Sequence, residues 1–193
     1  MKHLLVGKHL LVGLAVLFSA TAAWCAPAPL WTVETPQSQV GFVTSFGGDR
    51  VAGVFRRWEA TIRFDPTNLS GSSVTATVAT GSVATGNADQ EQALPTPGFF
   101  GAAKFPTATF TAHGFKALGQ NRYQAQGVLT LRGVSHPLTF PFALITTGAE
   151  ARMSGQAMIS RLAFGVGDGE WKATGTLPDA VMLTVSIRAK RAP

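Results

Sequence analysis

One cysteine, one tyrosine and four histidines stand in 193 residues, and charged residues make up only 13%. With Cys25 alone there is no internal disulfide, even in an oxidising compartment. His3 and His9 sit at the extreme N-terminus, which leaves His113 and His136 for the rest of the chain. Two distant histidines without a cysteine pair give no zinc signature, so no metal is expected. Long Leu/Glu/Lys stretches are missing, which argues against a helical protein. Low charge together with 46% hydrophobic residues excludes a disordered chain. The net charge of +6 is scattered apart from Arg56-Arg57 and Arg188, Lys190 and Arg191. Solvated strand faces account for such an excess, and no nucleic-acid partner is expected.

What is present points to strands and turns. Thr, Val and Phe recur, and Gly reaches 21 residues. The length suits one domain with a real core. Residues 1–22 read as a signal peptide: Lys2 and Lys8 form a basic region, Leu10 to Ala20 an apolar run, and Ala20-Thr21-Ala22 a cleavage site. The six residues Lys2 to Gly7 repeat as Lys8 to Gly13, a duplicated leader. The alternative is an uncleaved anchor, against which the run is short. Cys25 follows Trp24, a bulky residue that makes a poor lipobox and argues against lipoprotein attachment. The expected location is the periplasm.

From Gln39 onward the chain alternates with period two. Val40 and Phe42 begin a strand that ends at Gly47-Gly48-Asp49. Val51 to Phe64 places Trp58, Ala60, Ile62 and Phe64 on one face. Ser73 to Ala79 alternates again. Asn87 to Leu94 reads as a short helix with Asn87 as N-cap, closed by Pro95 and Pro97. Strands resume over Thr107 to Ala112 and Arg122 to Arg132, followed by a turn from Gly133 to His136. Three more carry Leu138 to Leu144, Ala151 to Ser160 and Val181 to Ile187. About eight strands in series, each with one wet and one dry face, fit a sandwich or a closed antiparallel barrel. Such a barrel is wide enough for one small ligand. Its dry faces carry Ala60, Ala76, Ala112, Ala125, Gly127, Gly155 and Ala157. Either these leave volume inside, or the phenylalanines fill it.

Several stretches resemble one family. They are Ser38-Gln39-Val40-Gly41-Phe42, Gly53-Val54-Phe55, Ile62-Arg63-Phe64-Asp65-Pro66 and Ser82-Val83-Ala84-Thr85-Gly86-Asn87. Further on come Phe99-Phe100, Lys104 to Phe110, Gly127 to Val134, and Ile159-Ser160-Arg161 with Phe164 to Gly167. Together, in this order, they resemble the YceI-like family, over a domain placed at residues 31–190. The resemblance implies an all-β fold: an eight-stranded antiparallel lipocalin-like β-barrel with a short helical insertion, holding a polyisoprenoid or similar long-chain amphiphile. It implies an apolar lining from Val40, Phe42, Phe55, Ile62, Phe64, Phe99, Phe100, Phe110, Leu129 and Leu131. No cofactor is expected, and because the inward positions are nearly all apolar no catalysis is expected either.

The departures are mostly polar. Thr44-Ser45-Phe46 stands where many members have a histidine, Gln90-Glu91 replaces Arg-Asp, and Ala93 replaces a histidine. Gly98 and Gly101 replace acids beside the Phe-Phe pair, and Ser160 an acid before Arg161. Trp58 through Ile62 resembles the branch associated with b561-type cytochromes. That implies an isoprenoid quinone as a further ligand and a membrane cytochrome as a partner; a homodimer is a further expectation.

Other candidates have plainer readings. His113 and His136 each lie beside a turn and read as solvated. Ser135-His136 cannot pair, because adjacent strand residues point apart. Gly165-Val166-Gly167-Asp168-Gly169 lacks the helix that would make it an anion-binding loop. Asp168 and Glu170 form an acid pair or are exposed turn carboxylates. Phe99-Phe100 forms a lid over the pocket or packs in the core.

Overall fold

The computed structural model describes residues 27–193; the expected leader, its cleavage and Cys25 lie outside them. Eleven strand segments form one sheet that closes on itself. They are β1 (Leu30–Val33), β2 (Gln39–Phe46), β3 (Asp49–Phe55), β4 (Trp58–Arg63), β5 (Ser73–Ala79), β6 (Val83–Ala84), β7 (Thr107–Gly119), β8 (Arg122–Leu131), β9 (Val134–Thr147), β10 (Glu150–Ser160) and β11 (Ala180–Arg191). Among the described residues one α-helix, α1 (Ala88–Ala93), and four single-turn 3-10 helices interrupt them.

The eleven segments are eight staves of a closed antiparallel barrel. β1 and β2 run in series along one edge of β11, with Trp31 opposite Arg191 and Phe42 opposite Leu183. β3 and β4 run in series against them, and β5 and β6 against β3 and β4. Closure removes the two full-length edge strands that an open sheet would present. The breaks within staves are filled by serine hydroxyls. Ser82 Oγ accepts from Arg57 N at 3.0 Å and donates to Ala79 O at 2.7 Å. Ser38 Oγ accepts from Arg188 N at 2.9 Å and donates to Glu34 O at 2.9 Å. Each hydroxyl supplies the hydrogen bonds that an interrupted ladder omits.

The sequence expectations are met in class and corrected in detail. Val51 to Phe64, read as one strand, breaks at Arg56-Arg57 into β3 and β4, although the two remain one stave. β7 continues to Gly119, past a bulge between Ala112 and Gly114 that reverses its alternation. His113 sits on that bulge, within a strand and exposed, not beside a turn. The turn expected over Gly133 to His136 is only Arg132-Gly133, both at positive φ (52° and 75°), the geometry of a two-residue hairpin. His136 and Pro137 therefore lie within β9. α1 forms where expected, and Asn87 Oδ1 accepts from Gln90 N at 3.1 Å as the N-cap.

Candidate functional site

Period-two alternation turns one side chain in every two toward the barrel axis, and the inward set is almost wholly apolar. It encloses a cavity of ≈ 280 Å³. The ten apolar residues singled out from the sequence all line it: Val40, Phe42, Phe55, Ile62, Phe64, Phe99, Phe100, Phe110, Leu129 and Leu131.

The cavity lies between two aromatic plugs. At the base, Phe64 packs edge-on against Phe115, Tyr123 and Phe142 at centroid distances of 5.5, 5.2 and 5.6 Å. Trp31 closes this end, its indole N–H donating to Phe64 O at 2.9 Å. At the mouth, Phe42, Phe55 and Phe100 form a triangle with sides of 5.9, 6.3 and 5.7 Å. Above it Trp171 meets Phe46 at 5.3 Å and Phe99 at 6.2 Å. Between the plugs the walls are small: Ala60, Ala76 and Ala108 line the middle.

The small inward residues therefore divide into two groups. Ala60 and Ala76 leave volume, whereas Ala112, Ala125 and Ala157 are packed in a buried cluster with Phe140. Gly127 and Gly155 are occupied by rings. A Cβ on Gly155 would meet Phe140 Cε1 at 2.4 Å, and one on Gly127 would meet Phe110 Cε2 at 2.9 Å. The two rings take the space that side chains at these glycines would fill. Both readings of the interior thus hold, in different layers.

The mouth is built from two long connections, residues 85–106 and 161–179, and each is fastened by an arginine. Arg161, only 2% exposed, donates all five guanidinium hydrogens to backbone carbonyls. Nε reaches Pro178 O at 3.0 Å. Nη1 reaches Val166 O at 2.8 Å and Gly167 O at 3.2 Å. Nη2 reaches Trp171 O at 2.6 Å and Leu177 O at 2.8 Å. Burial pulls its pKa down and the Asp179 carboxylate opposes this. Asp179 accepts from Leu162 N and Ser160 Oγ, both at 2.9 Å, and these bonds hold its carboxyl below the ordinary value. Arg132 Nη1 donates to Pro97 O at 2.8 Å and to Phe99 O, fastening the segment that carries Phe99-Phe100. Glu91 Oε1 accepts from Thr85 N at 2.8 Å and Gly86 N at 2.9 Å, and its carboxyl is likewise held low.

Sequence reasoning missed these fasteners. Arg132 and Arg161 stood inside quoted motifs, but nothing local says that a guanidinium will be spent on carbonyls of its own loop. It also missed Thr44. Thr44 Oγ1 lines the cavity and, among the described residues, is the buried side-chain polar atom without a hydrogen-bond partner in the protein. Such atoms are rare in folded proteins and call for a partner.

The other candidates lie away from the cavity wall. His113 is exposed, and His136 Nε2 lies 3.0 Å from Ala163 O, its ring edge-on to Phe164 at 5.0 Å. Asp168 and Glu170 are exposed, and Asp168 pairs with Lys172 at 3.8 Å. Arg161 is the titratable residue on the lining, and no group of His, Cys, Asp or Glu among the described residues could hold a metal.

A family model for the YceI-like domain matches residues 31–189. The chain belongs to the YceI-like family. It is 33% identical over 145 residues to Protein YceI of Escherichia coli O17:K52:H18, covering 73% of this chain and 75% of that one. Among solved structures it is similar to BcnA of Burkholderia cenocepacia, with a TM-score of 0.79, 29% identity, and coverage of 82% and 99% of the two chains. A polyisoprenoid binding domain from Saccharophagus degradans, implicated in plant cell wall breakdown, shares the fold with a TM-score of 0.67 at 12% identity, over 86% and 99% of the chains. The YceI-like motifs of the sequence have structural roles here: Gly53 admits the Phe42 ring, Arg132 and Arg161 fasten the mouth, and Phe100 completes the aromatic triangle.

Proposed function

We propose that this protein is an exported, non-enzymatic carrier that holds the chain of one polyisoprenoid or similar long-chain amphiphile, isoprenoid quinone included, inside its barrel. The observation that carries the reading is a barrel cavity with apolar walls and one unpartnered hydroxyl, Thr44, near its mouth. The chain of such a ligand occupies the alanine-lined middle, and its single polar group bonds Thr44. The ten apolar lining residues are the contacts. Burying about ten methylene equivalents contributes roughly 8 kcal/mol, equivalent to about micromolar affinity before ordering costs. The shared fold with a polyisoprenoid binding domain supports the ligand class. The leader supports delivery to the periplasm.

Organic extraction and mass spectrometry of protein purified from its native periplasm test this reading. A near-stoichiometric isoprenoid alcohol, phosphate or quinone is expected, and lipid-free protein contradicts it. A quinone cargo brings in a membrane redox partner of the b561 cytochrome type. Co-purification of a haem protein from membranes is then the expected outcome, and its absence removes that arm.

A further inference from the structure

Cations that stand scattered along the sequence are gathered by the fold at the closed end of the barrel. The base is built from residues 28–38, 63–73, 115–123, 144–153 and 186–193. These segments carry seven Lys and Arg against three Asp and Glu. The other described residues carry seven of each. The positive excess of the described side chains thus belongs to the base alone.

Strand register makes one face of part of this excess. Near the base, β8 to β11 turn outward Arg122, Ile145, Arg152 and Arg188, one from each strand. Ile145 stands opposite Arg152, and Arg152 opposite Arg188. Arg122 stands opposite Ala143, the outward position next to Ile145 on β9. Two arginines directly opposite each other repel and weaken a ladder. No carboxylate offsets them: among the described residues the ion pairs are Lys190–Glu34 and Lys172–Asp168. Arg188 Nη1 donates instead to the neutral Gln37 Oε1 at 2.7 Å.

Bare apolar side chains stand among these cations. Ile145, 60% exposed, is the most exposed large hydrophobic residue among those described, and Leu118 on β7 is 46% exposed. Leu118 sits in the irregularity between Ala117 and Gly119, and Gly119 is the rung partner of Arg122. Water solvates arginines well and disfavours exposed Ile and Leu. A second copy of this chain, set face to face, would bring like charges together. An acidic protein surface answers the charges alone. A surface with phosphates above an apolar layer answers both: guanidinium groups bond phosphate oxygens, while Ile and Leu enter the acyl boundary.

We infer that the base of the barrel is a docking face for a bilayer containing anionic phospholipid, with Arg122, Arg152 and Arg188 on the phosphates and Leu118 and Ile145 in the interface. The base suits this role because it is shut by packing. Docking there leaves the mouth clear and facing away from the bilayer. The inference stands on the outer surface and does not depend on the carrier reading.

The test measures co-sedimentation of Cys25→Ser protein with vesicles of phosphatidylcholine, alone or with about a third phosphatidylglycerol. Binding to the anionic vesicles is expected at about 50 mM NaCl, and at least about tenfold weaker binding at about 500 mM NaCl or on phosphatidylcholine alone. Arg122→Glu with Arg152→Glu lowers it at least about tenfold. Arg50→Glu with Arg57→Glu, the same charge change at exposed positions outside the base, lowers it less than about threefold. A polarity-sensitive NBD label on Ile145→Cys brightens on the anionic vesicles. The same label on Val134→Cys, at the mouth hairpin and 38% exposed, does not. The labelled proteins keep every arginine, so this readout holds even where a double variant folds poorly. No binding to the anionic vesicles overturns the inference. Equal losses from the two double variants reduce the attraction to net charge and overturn it. A response at Val134 without one at Ile145 places the mouth on the bilayer and overturns it as well.

Discussion

The base and the mouth of the barrel are both closed by aromatic rings, yet they are held in opposite ways. At the base, Phe115, Tyr123 and Phe142 stand on the neighbouring strands β7, β8 and β9, Phe64 packs on all three from just past the end of β4, and Trp31 locks the end through one indole hydrogen bond. At the mouth, Phe99, Phe100 and Trp171 ride on long connections, fastened by guanidinium groups bonded to loop carbonyls. The base is closed by packing on the ladder itself. The mouth is closed by a few polar bonds that can be removed one at a time. An end built to stay shut needs only packing, whereas separable fastenings suit an end that opens.

Arg161→Leu gives the largest expected effect. It leaves five loop carbonyls unsatisfied in a buried site, at a cost of about 4 kcal/mol. Urea denaturation measures the loss, and Arg161→Lys recovers little of it, since an ammonium cannot reproduce the planar fork. At the base, Phe64→Ala removes a ring 5% exposed and costs about 3 kcal/mol. The comparison breaks if the base variant, and not the mouth variant, changes the exchange rate of bound lipid.

These two ends were not equally legible in the sequence. The base and the middle follow from alternation: Ala60, Ile62 and Phe64 share a face because strand residues two apart must. Alternation failed where the strand is irregular. The bulge at His113 reverses the pattern, so Phe115 was not recognised as inward although it lines the cavity. The mouth was legible only as motifs. Gly-Val-Leu-Thr-Leu-Arg-Gly-Val predicts a hairpin, but that Arg132 would reach back to Pro97 is a tertiary fact with no periodic trace. Thr44 stood in view as a departure from the family pattern, and only enclosure by the barrel turns it into an unpartnered polar atom.

Smaller effects sharpen the contrast. Thr44→Val removes the unpartnered hydroxyl, so the fold gains slightly or is unchanged while affinity for a prenyl alcohol falls about fivefold, one neutral hydrogen bond's worth. Isothermal titration against wild type reads it. The smallest effect is acid loosening of the mouth. The Asp179 carboxyl is held below its ordinary 3.8 by the bonds from Leu162 and Ser160. A depressed folded-state pKa gives stability that is present above the ordinary value and lost as pH falls through the folded one. Stability therefore falls below about pH 4 by more in wild type than in Asp179→Asn, checked by urea midpoints from pH 6 to pH 3.

The most direct test of the account fills the middle layer. Ala76→Phe places a ring where Ala60, Ala76 and Ala108 leave the interior open. Wild type and variant are titrated with farnesol, alongside their thermal unfolding. A carrier that uses the cavity predicts one farnesol per wild-type chain, and at least a hundredfold weaker binding in a variant that melts within a few degrees of wild type. Equal binding by both proteins contradicts the account, because the lipid then sits elsewhere than in the barrel.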